Sequence, residues 1–305
     1  MNVTVYAEWL RRRGQKVVAT YSTHWHSEGF GVFQAFPYHR MIQPSEEELR
    51  ELMTDHGATV LRFSMPVGSS ELSDDYHVVY TGVEYDLGTL GTWARKNVRR
   101  GLRNCEVGMV SFERYVQEGW ALRTDTLARQ GRHVNETRDQ WERQYSCASD
   151  LPGFEVWAAE VRGRLAATLV TFRMDDWCYM VYQQCHRDYL PDHVNNALTF
   201  VVTRNMIKVA KLKGVFYGMR SLDAPKSVDE FKLRMGFEAR PIRQRVIFHP
   251  RLRPFINRAT HRMVKSLSAI LPRNRHLSKA EGLIRSHLAS RNTHVADRAE
   301  VGANS

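Results

Sequence analysis

Hydrophobic positions fall into short period-two runs separated by stretches of helical period, the pattern of a mixed α/β protein. Residues 16–23 and 31–38, rich in Val, Phe, Tyr and Thr, predict strands. Ser45 followed by Glu48 is a capping box that opens a helix to about His56, with Leu49 and Leu52 inward and Gly57 as its stop. Residues 59–65 and 78–87 predict two more strands. Residues 92–104 predict a short basic helix on which Arg95, Arg99 and Arg103 share one face, beside Lys96 and Arg100.

Past Cys105 the pattern predicts a strand over 106–112, helices over 113–129 and 137–148, and strands over 154–161, 165–172 and 177–185. Turns at Gly163 and Asp175-Asp176 are short enough to make those three strands antiparallel neighbours. A long helix over 195–213 presents Leu198, Val202, Met206 and Val209 and is capped by Gly214. A strand over 215–219, a helix over 227–235 and a strand over 243–249 complete the order β-α-α-β-β-β-α-β-α-β. The first 95 residues read as a shortened version of that order. The chain thus divides into a degenerate half (1–94), a complete half (95–250) and an extension (251–305).

The extension differs in kind. Leu252, Phe255, Ile256, Ala259, Met263, Leu267, Ile270 and Leu271 follow helical spacing, with Arg253, Arg258, Arg262 and Lys265 between them. Pro272 ends this helix, and Ser278 with Glu281 boxes the start of another that ends near residue 289. The net charge is +11, and from Arg251 to Glu300 eleven cationic residues less three acidic ones leave +8. The excess is therefore local, which argues against a uniformly basic nucleic-acid surface and for a specialised segment. Residues 251–289 are expected to contact an anionic membrane surface or a partner, with packing on the chain's own body as the alternative.

At 305 residues the chain lies near the upper limit of one core, and 43% apolar with 25% charged residues suits a globular protein. No run reaches the roughly 18 apolar residues of a membrane span. Near the N-terminus Arg11, Arg12 and Arg13 follow the apolar residues, the reverse of a signal peptide, so the expectation is a cytoplasmic protein, peripheral at the inner membrane face through its extension. Cys105, Cys147, Cys178 and Cys185 form no Cys-x-x-Cys pair, which signals neither zinc nor disulfides. His24 and His26 could form a metal pair on a strand, but no third ligand is visible and they read as ordinary strand histidines.

Three segments sharpen the picture. Arg95-Lys96-Asn97-Val98-Arg99-Arg100-Gly101-Leu102-Arg103 enters the complete half, Tyr217-Gly218-Met219-Arg220-Ser221 ends a strand after the long helix, and Phe231-Lys232-Leu233-Arg234-Met235-Gly236-Phe237 precedes the last strand. Together with the element order they resemble the GNAT superfamily of acyltransferases, in its two-copy Fem-like branch, whose members act in peptidoglycan cross-bridge building and related pathways. The resemblance covers about residues 60–250. It departs at Met235, where the family has an aromatic residue, and at Met219-Arg220, where it has glycines.

The resemblance implies a mixed α/β fold and an N-acyltransferase that joins an acyl or aminoacyl group to the amine of an amino acid, an amino sugar or a cell-envelope precursor. A non-catalytic scaffold on a membrane or polysaccharide assembly is the rival reading. The implied donors are acyl-CoA or another acyl thioester, an acyl carrier protein, or an aminoacyl-tRNA, with no metal. Residues 185–195 contain no glycine for a pyrophosphate cradle, which counts against coenzyme A. No long heptad run is present, which counts against tRNA.

Attack of an amine on an activated carbonyl develops an oxyanion, best met by a fixed charge or donor. Lys232 is the candidate for that role, against the plainer reading of a solvated helix lysine. Tyr182 and Tyr217 are candidate proton donors, and each could equally be a core tyrosine. Arg220, Lys226, Gln183, Asn195, Asn196, Arg99 and Phe231 are candidates for binding donor or acceptor. No histidine or carboxylate stands out as a general base; Asp223 and Glu160 are the candidates, with proton loss to water or to the substrate itself as the alternative.

Overall fold

The computed structural model describes residues 3–68, 75–132, 134, 136–220, 226–271, 274 and 276–288. In chain order its elements are α1 (Val3–Arg12), β1 (Val17–Ala19), β2 (His24–Ser27), β3 (Val32–Phe36), α2 (Glu46–Thr54), β4 (Val60–Met65), β5 (Tyr76–Tyr80), α3 (Thr92–Asn104) and β6 (Glu106–Val110). Then come α4 (Phe112–Arg129), α5 (Arg138–Ser146), β7 (Phe154–Val161), β8 (Arg164–Met174), β9 (Trp177–Cys185), α6 (Val194–Arg204) and β10 (Gly214–Met219). The chain continues through α7 (Lys226–Arg234), β11 (Glu238–Pro241), β12 (Arg243–Phe248), α8 (Arg258–Ile270) and α9, residues 276–288.

These elements build two mixed sheets, ordered β1-β2-β3-β4-β12 and β11-β5-β10-β9-β8-β7-β6. Two compact units follow: 1–14 with 77–220 and 224–240, and 15–76 with 221–223 and 241–305. This partition differs from a division at 94/95 and 250/251, for two reasons. The final strand β12 is antiparallel to β4 along its whole length, from Arg243↔Met65 to Phe248↔Val60, so it completes the first sheet rather than the second. At the other end, α1 belongs with the second sheet: Tyr6 lies 5.1 Å from Phe172 and Trp9 5.0 Å from Phe154, ring centre to ring centre.

In the larger unit β7 to β9 form an antiparallel meander, as their short turns predict, and β6 pairs antiparallel with β7 across the connection that holds α4 and α5. β8 is buried at nearly every position, which is why its text is a continuous apolar run rather than an alternation. The long helix predicted over 195–213 is shorter: α6 ends at Arg204, a π turn spans Asn205–Val209, and Lys211 reverses the chain at φ 55°. Gly214 therefore opens β10 instead of capping a helix. A Cβ there would lie 2.6 Å from the Trp177 ring.

The smaller unit centres on Trp25, Phe33, Leu49, Leu52, Leu61 and Phe63, between its sheet and α2. Residues 16–23 do not make one strand. Thr20 N–H bonds the Thr23 carbonyl in a turn that separates β1 from β2. Ser45 caps α2 by accepting from Glu48 N–H at 3.1 Å, while the Glu48 carboxylate turns to the Ser22 hydroxyl.

Candidate active site

β9 and β10 run parallel but share register over three residues only, Gly214↔Trp177, Val215↔Cys178 and Phe216↔Tyr179. Beyond that point β9 continues beside β8 to Cys185 and β10 beside β5 to Met219. Each carries an irregularity just past the parting. Val181 is the extra residue of β9 against β8, and Tyr217 that of β10 against β5. Such bulges twist a strand and re-aim its side chains.

Across the parting a polar network closes. The Tyr217 hydroxyl donates to Gln183 Oε1 and lies 3.5 Å from Thr199 Oγ1. Gln183 Nε2 donates to Asn195 Oδ1 at 3.2 Å and to Thr199 Oγ1 at 3.1 Å. Asn195 and Thr199 stand one turn apart on α6, so both face the same strand. Burial holds the Tyr217 phenol well above its ordinary value, with the Thr199 hydroxyl opposing that only in part. It therefore stays a neutral O–H donor at any working pH.

The motif on α7 supplies the charge beside this network. Lys232 is buried, with Nζ 2.8 Å from Asp229 Oδ1 and 5.3 Å from the centre of the Tyr217 ring. Gly218 takes φ +140°, and a Cβ there would come within 3.8 Å of Nζ. The rest of the motif fixes the helix end. Gly236 N–H bonds the Leu233 carbonyl, and Phe237 N–H the Lys232 carbonyl, the two bonds of a Schellman cap with Gly236 at φ +86°. Phe237 then meets the Tyr217 ring edge to face at 5.0 Å. Met235 is fully buried and holds Tyr85 through its carbonyl at 2.6 Å.

Lys232, Tyr217, Gln183 and Asn195 are thus brought together. Asn196 is not among them: it is buried one position on, with Nδ2 3.3 Å from Met235 Sδ. Tyr182 is corrected more sharply. It points to the opposite face of the sheet, 5.6 Å from the Tyr145 ring and under the Arg123 guanidinium at 5.7 Å. Consecutive strand residues face opposite sides, so Tyr182 and Gln183 cannot serve one pocket on one face. Phe231 is half-buried on α7, Arg220 half-buried at the end of β10, and the Lys226 side chain lies outside the described residues.

Arg99 is exposed on α3. The motif glycine of that helix, Gly101, packs where a Cβ would sit 2.5 Å from the His193 carbonyl, so α3 backs directly onto the start of α6. Burial, and then the charges of Arg100 and Lys96, hold the His193 imidazole below its ordinary value. The residues missed by sequence reasoning are Thr199 and Asp229, which a check of i+4 from Asn195 and i−3 from Lys232 would have found.

On the Tyr182 face Tyr115, Trp141, Tyr145 and Gln184 form a second buried group, with Tyr115 O–H donating to Gln184 at 3.3 Å. Elsewhere the His24 and His26 rings each lie 5.6 Å from the Phe36 ring, and His26 bonds Tyr38 at 2.9 Å. Among the described residues no group of three or more metal-binding side chains occurs. A cleft of about 250 Å³ in the smaller unit is lined by Tyr21, Glu47, Glu48, Glu51, Leu52 and His56, and none of the predicted site residues borders it.

No protein-family model matches this sequence, and no curated protein matches it. Solved structures do. A crystal structure of FemX overlays with a TM-score of 0.56 at 11% identity, covering 82% of this chain and 92% of FemX. The C-terminal domain of a putative lysylphosphatidylglycerol synthetase from Agrobacterium fabrum gives 0.55 at 13%, covering 79% and 87%. A conserved protein of unknown function from Bacteroides thetaiotaomicron gives 0.51 at 12%, covering 79% and 87%. The chain has a mixed α/β fold similar to those of FemX and the synthetase domain, the kind of fold its motifs imply. At these identities the likeness concerns the fold.

Proposed function

We propose that the chain is an acyl or aminoacyl transferase that joins an activated acyl group to an amine. The observation that carries this reading is the buried Lys232 ammonium, fixed by Asp229 beside a neutral Tyr217 hydroxyl, where β9 and β10 part. A carbonyl placed in that opening meets one positive charge, and the Tyr217 hydroxyl serves it only by turning its single proton away from Gln183 Oε1. The ammonium acts most strongly where water is excluded, and Asp229 holds it before the reaction begins, so it does not reorganise as the oxyanion forms. Gln183, pinned by Asn195 and Thr199, fixes the direction of the Tyr217 hydroxyl.

The donor is a thioester or an aminoacyl ester. Its anionic part fits the start of α6, where helix N–H groups meet the positive potential of Arg100 and Lys96. The acceptor is a small amine, of an amino acid, an amino sugar or a cell-envelope precursor. The neighbour named for lysylphosphatidylglycerol synthesis supports an envelope setting only through its fold. Among the described residues no helix is long and apolar enough to cross a membrane.

The test is thiol or tRNA release when the purified full chain meets a panel of acyl thioesters and aminoacyl-tRNAs with amine acceptors. Turnover that needs both partners and falls by about 10²-fold in Lys232→Ala is expected, the scale of losing an oxyanion donor. Turnover unchanged in a folded Lys232→Ala protein removes Lys232 from the chemistry. No turnover with either donor class overturns the assignment.

A further inference from the structure

α8 is bound to its unit by one side only. Val264 packs against the cluster of Val60, Val246, Phe248 and Ile284, His261 meets Glu281 at 2.9 Å, and Ser268 meets Ser278 at 3.4 Å. Asn257 caps the helix, accepting from Ala259 N–H at 2.9 Å and Thr260 N–H at 3.0 Å. Those attachments occupy the arc of Thr260, His261, Val264 and Ser268. The apolar stripe expected from the sequence lies next to that arc, not within it. Met263, Leu267 and Ile270, at i, i+4 and i+7, are 58%, 40% and 73% exposed, and Phe255 just before the helix is 67% exposed. Arg258, Arg262 and Lys265 form a third, exposed stripe. Residues 251–271 hold five Lys or Arg and no carboxylate.

We infer that this outer face of α8, apolar along Met263, Leu267 and Ile270 and cationic along Arg258, Arg262 and Lys265, docks on an anionic lipid bilayer. Charge complementarity decides between occupants. A phosphodiester polymer would pair with the arginines and leave Ile270 and Phe255 in water. A purely apolar groove would cover Ile270 and leave the cations stranded without counter-charge. The boundary of an anionic bilayer accepts both, with apolar side chains below the headgroups and guanidinium and ammonium groups among the phosphates. Neither signal suffices alone on a helix of 13 residues, and the two act together. The surface is independent of the reaction proposed above, since it uses no residue of the β9–β10 site.

Co-sedimentation of the full chain with vesicles of phosphatidylcholine, with and without phosphatidylglycerol, tests the inference. Binding to the anionic vesicles alone, weakened by salt, is expected. Arg262→Gln and Lys265→Gln should each weaken it roughly fivefold, the worth of one cation near such a surface. Ile270→Ser should weaken it as well while leaving the circular dichroism spectrum unchanged, because that side chain is exposed in the folded protein. A protein that stays in the supernatant at low salt overturns the inference. So does Ile270→Ser binding as well as the parent, which would mean charge alone is at work. So does an Ile270→Ser substitution that turns a dimer into a monomer in analytical ultracentrifugation, which would assign the stripe to a second copy.

Discussion

α7 and α8 are both short, basic and amphipathic, yet they treat their cations in opposite ways. On α7 the side chains of Lys232 and Asp229 are 11% and 15% exposed and held together at 2.8 Å, and the motif around them is fixed at every step. On α8 the cations face outward without a carboxylate on the same helix, next to apolar residues that also face outward. A charge removed from water must have a partner, and a charge left in water need not. The contrast therefore separates a site arranged before its substrate arrives from a surface that waits for its partner. It also makes the two helices answer differently to the same kind of substitution.

The largest effect is expected at the buried pair. Asp229→Leu leaves the Lys232 ammonium without its carboxylate, and breaking such a pair costs about 3–5 kcal/mol. Lys232→Met should also destabilise, by taking from Asp229 the ammonium held at 2.8 Å. The double substitution, with Asp229→Leu, should recover most of the loss, because two apolar side chains need no partners. Urea denaturation of the four proteins measures the coupling. Additive losses would mean that the two residues act separately, and α7 would then differ little from α8.

Next in size is the loss of turnover in Tyr217→Phe, about tenfold to 10²-fold if its hydroxyl meets the oxyanion. Because burial lifts the phenol, the parent's rate should show no fall from Tyr217 ionisation on the alkaline side up to about pH 10. A Tyr217→Phe protein that loses an alkaline limb present in the parent would show that the phenol does ionise in the working range. Smaller again is Gly236→Ala. At φ +86° an alanine is strained by about 1–2 kcal/mol, while the nearest neighbour of its Cβ, Leu90 Cδ2 at 3.4 Å, stands at ordinary contact distance, so the cost lies in the backbone. A stability within error of the parent would mean the cap of α7 tolerates a side chain.

What could be read from the sequence beforehand follows the same division between local and tertiary causes. The meander β7–β9 was legible because its continuous apolar runs and two-residue turns leave little choice of partner. The motif at 231–237 was legible as a motif, and the structure explains its residues one by one: a buried lysine, a methionine that carries a hydrogen bond, a glycine at positive φ and an aromatic ring against Tyr217. Three things were not legible. β12 could pair with either sheet, and nothing in its own six residues says which. The helix α1 begins Val-Thr-Val-Tyr, text that favours a strand, and is decided by the aromatic cluster it joins. Tyr182 was placed with Gln183 by adjacency in sequence, although strand alternation separates them.

The smallest expected effect is the most useful control on the comparison. Ile270 is an apolar residue in a helix, and by residue type alone its loss should cost as much as that of any core isoleucine. With 73% of its surface in water it removes little area on folding, so Ile270→Ser should change stability by no more than about 0.5 kcal/mol. Val264, less than two helical turns back but packed against Val60, Val246, Phe248 and Ile284, should lose clearly more on truncation to Ala, on the order of 1–2 kcal/mol. Urea midpoints of the two variants, measured on the same full chain, give the ratio directly. If Ile270→Ser proves as costly as Val264→Ala, the stripe on α8 is covered in solution by some other part of the same chain, and α8 becomes a core helix like any other. If the ratio holds, the apolar face of α8 stays in water without contributing to stability, which is the state expected of a surface kept for a partner.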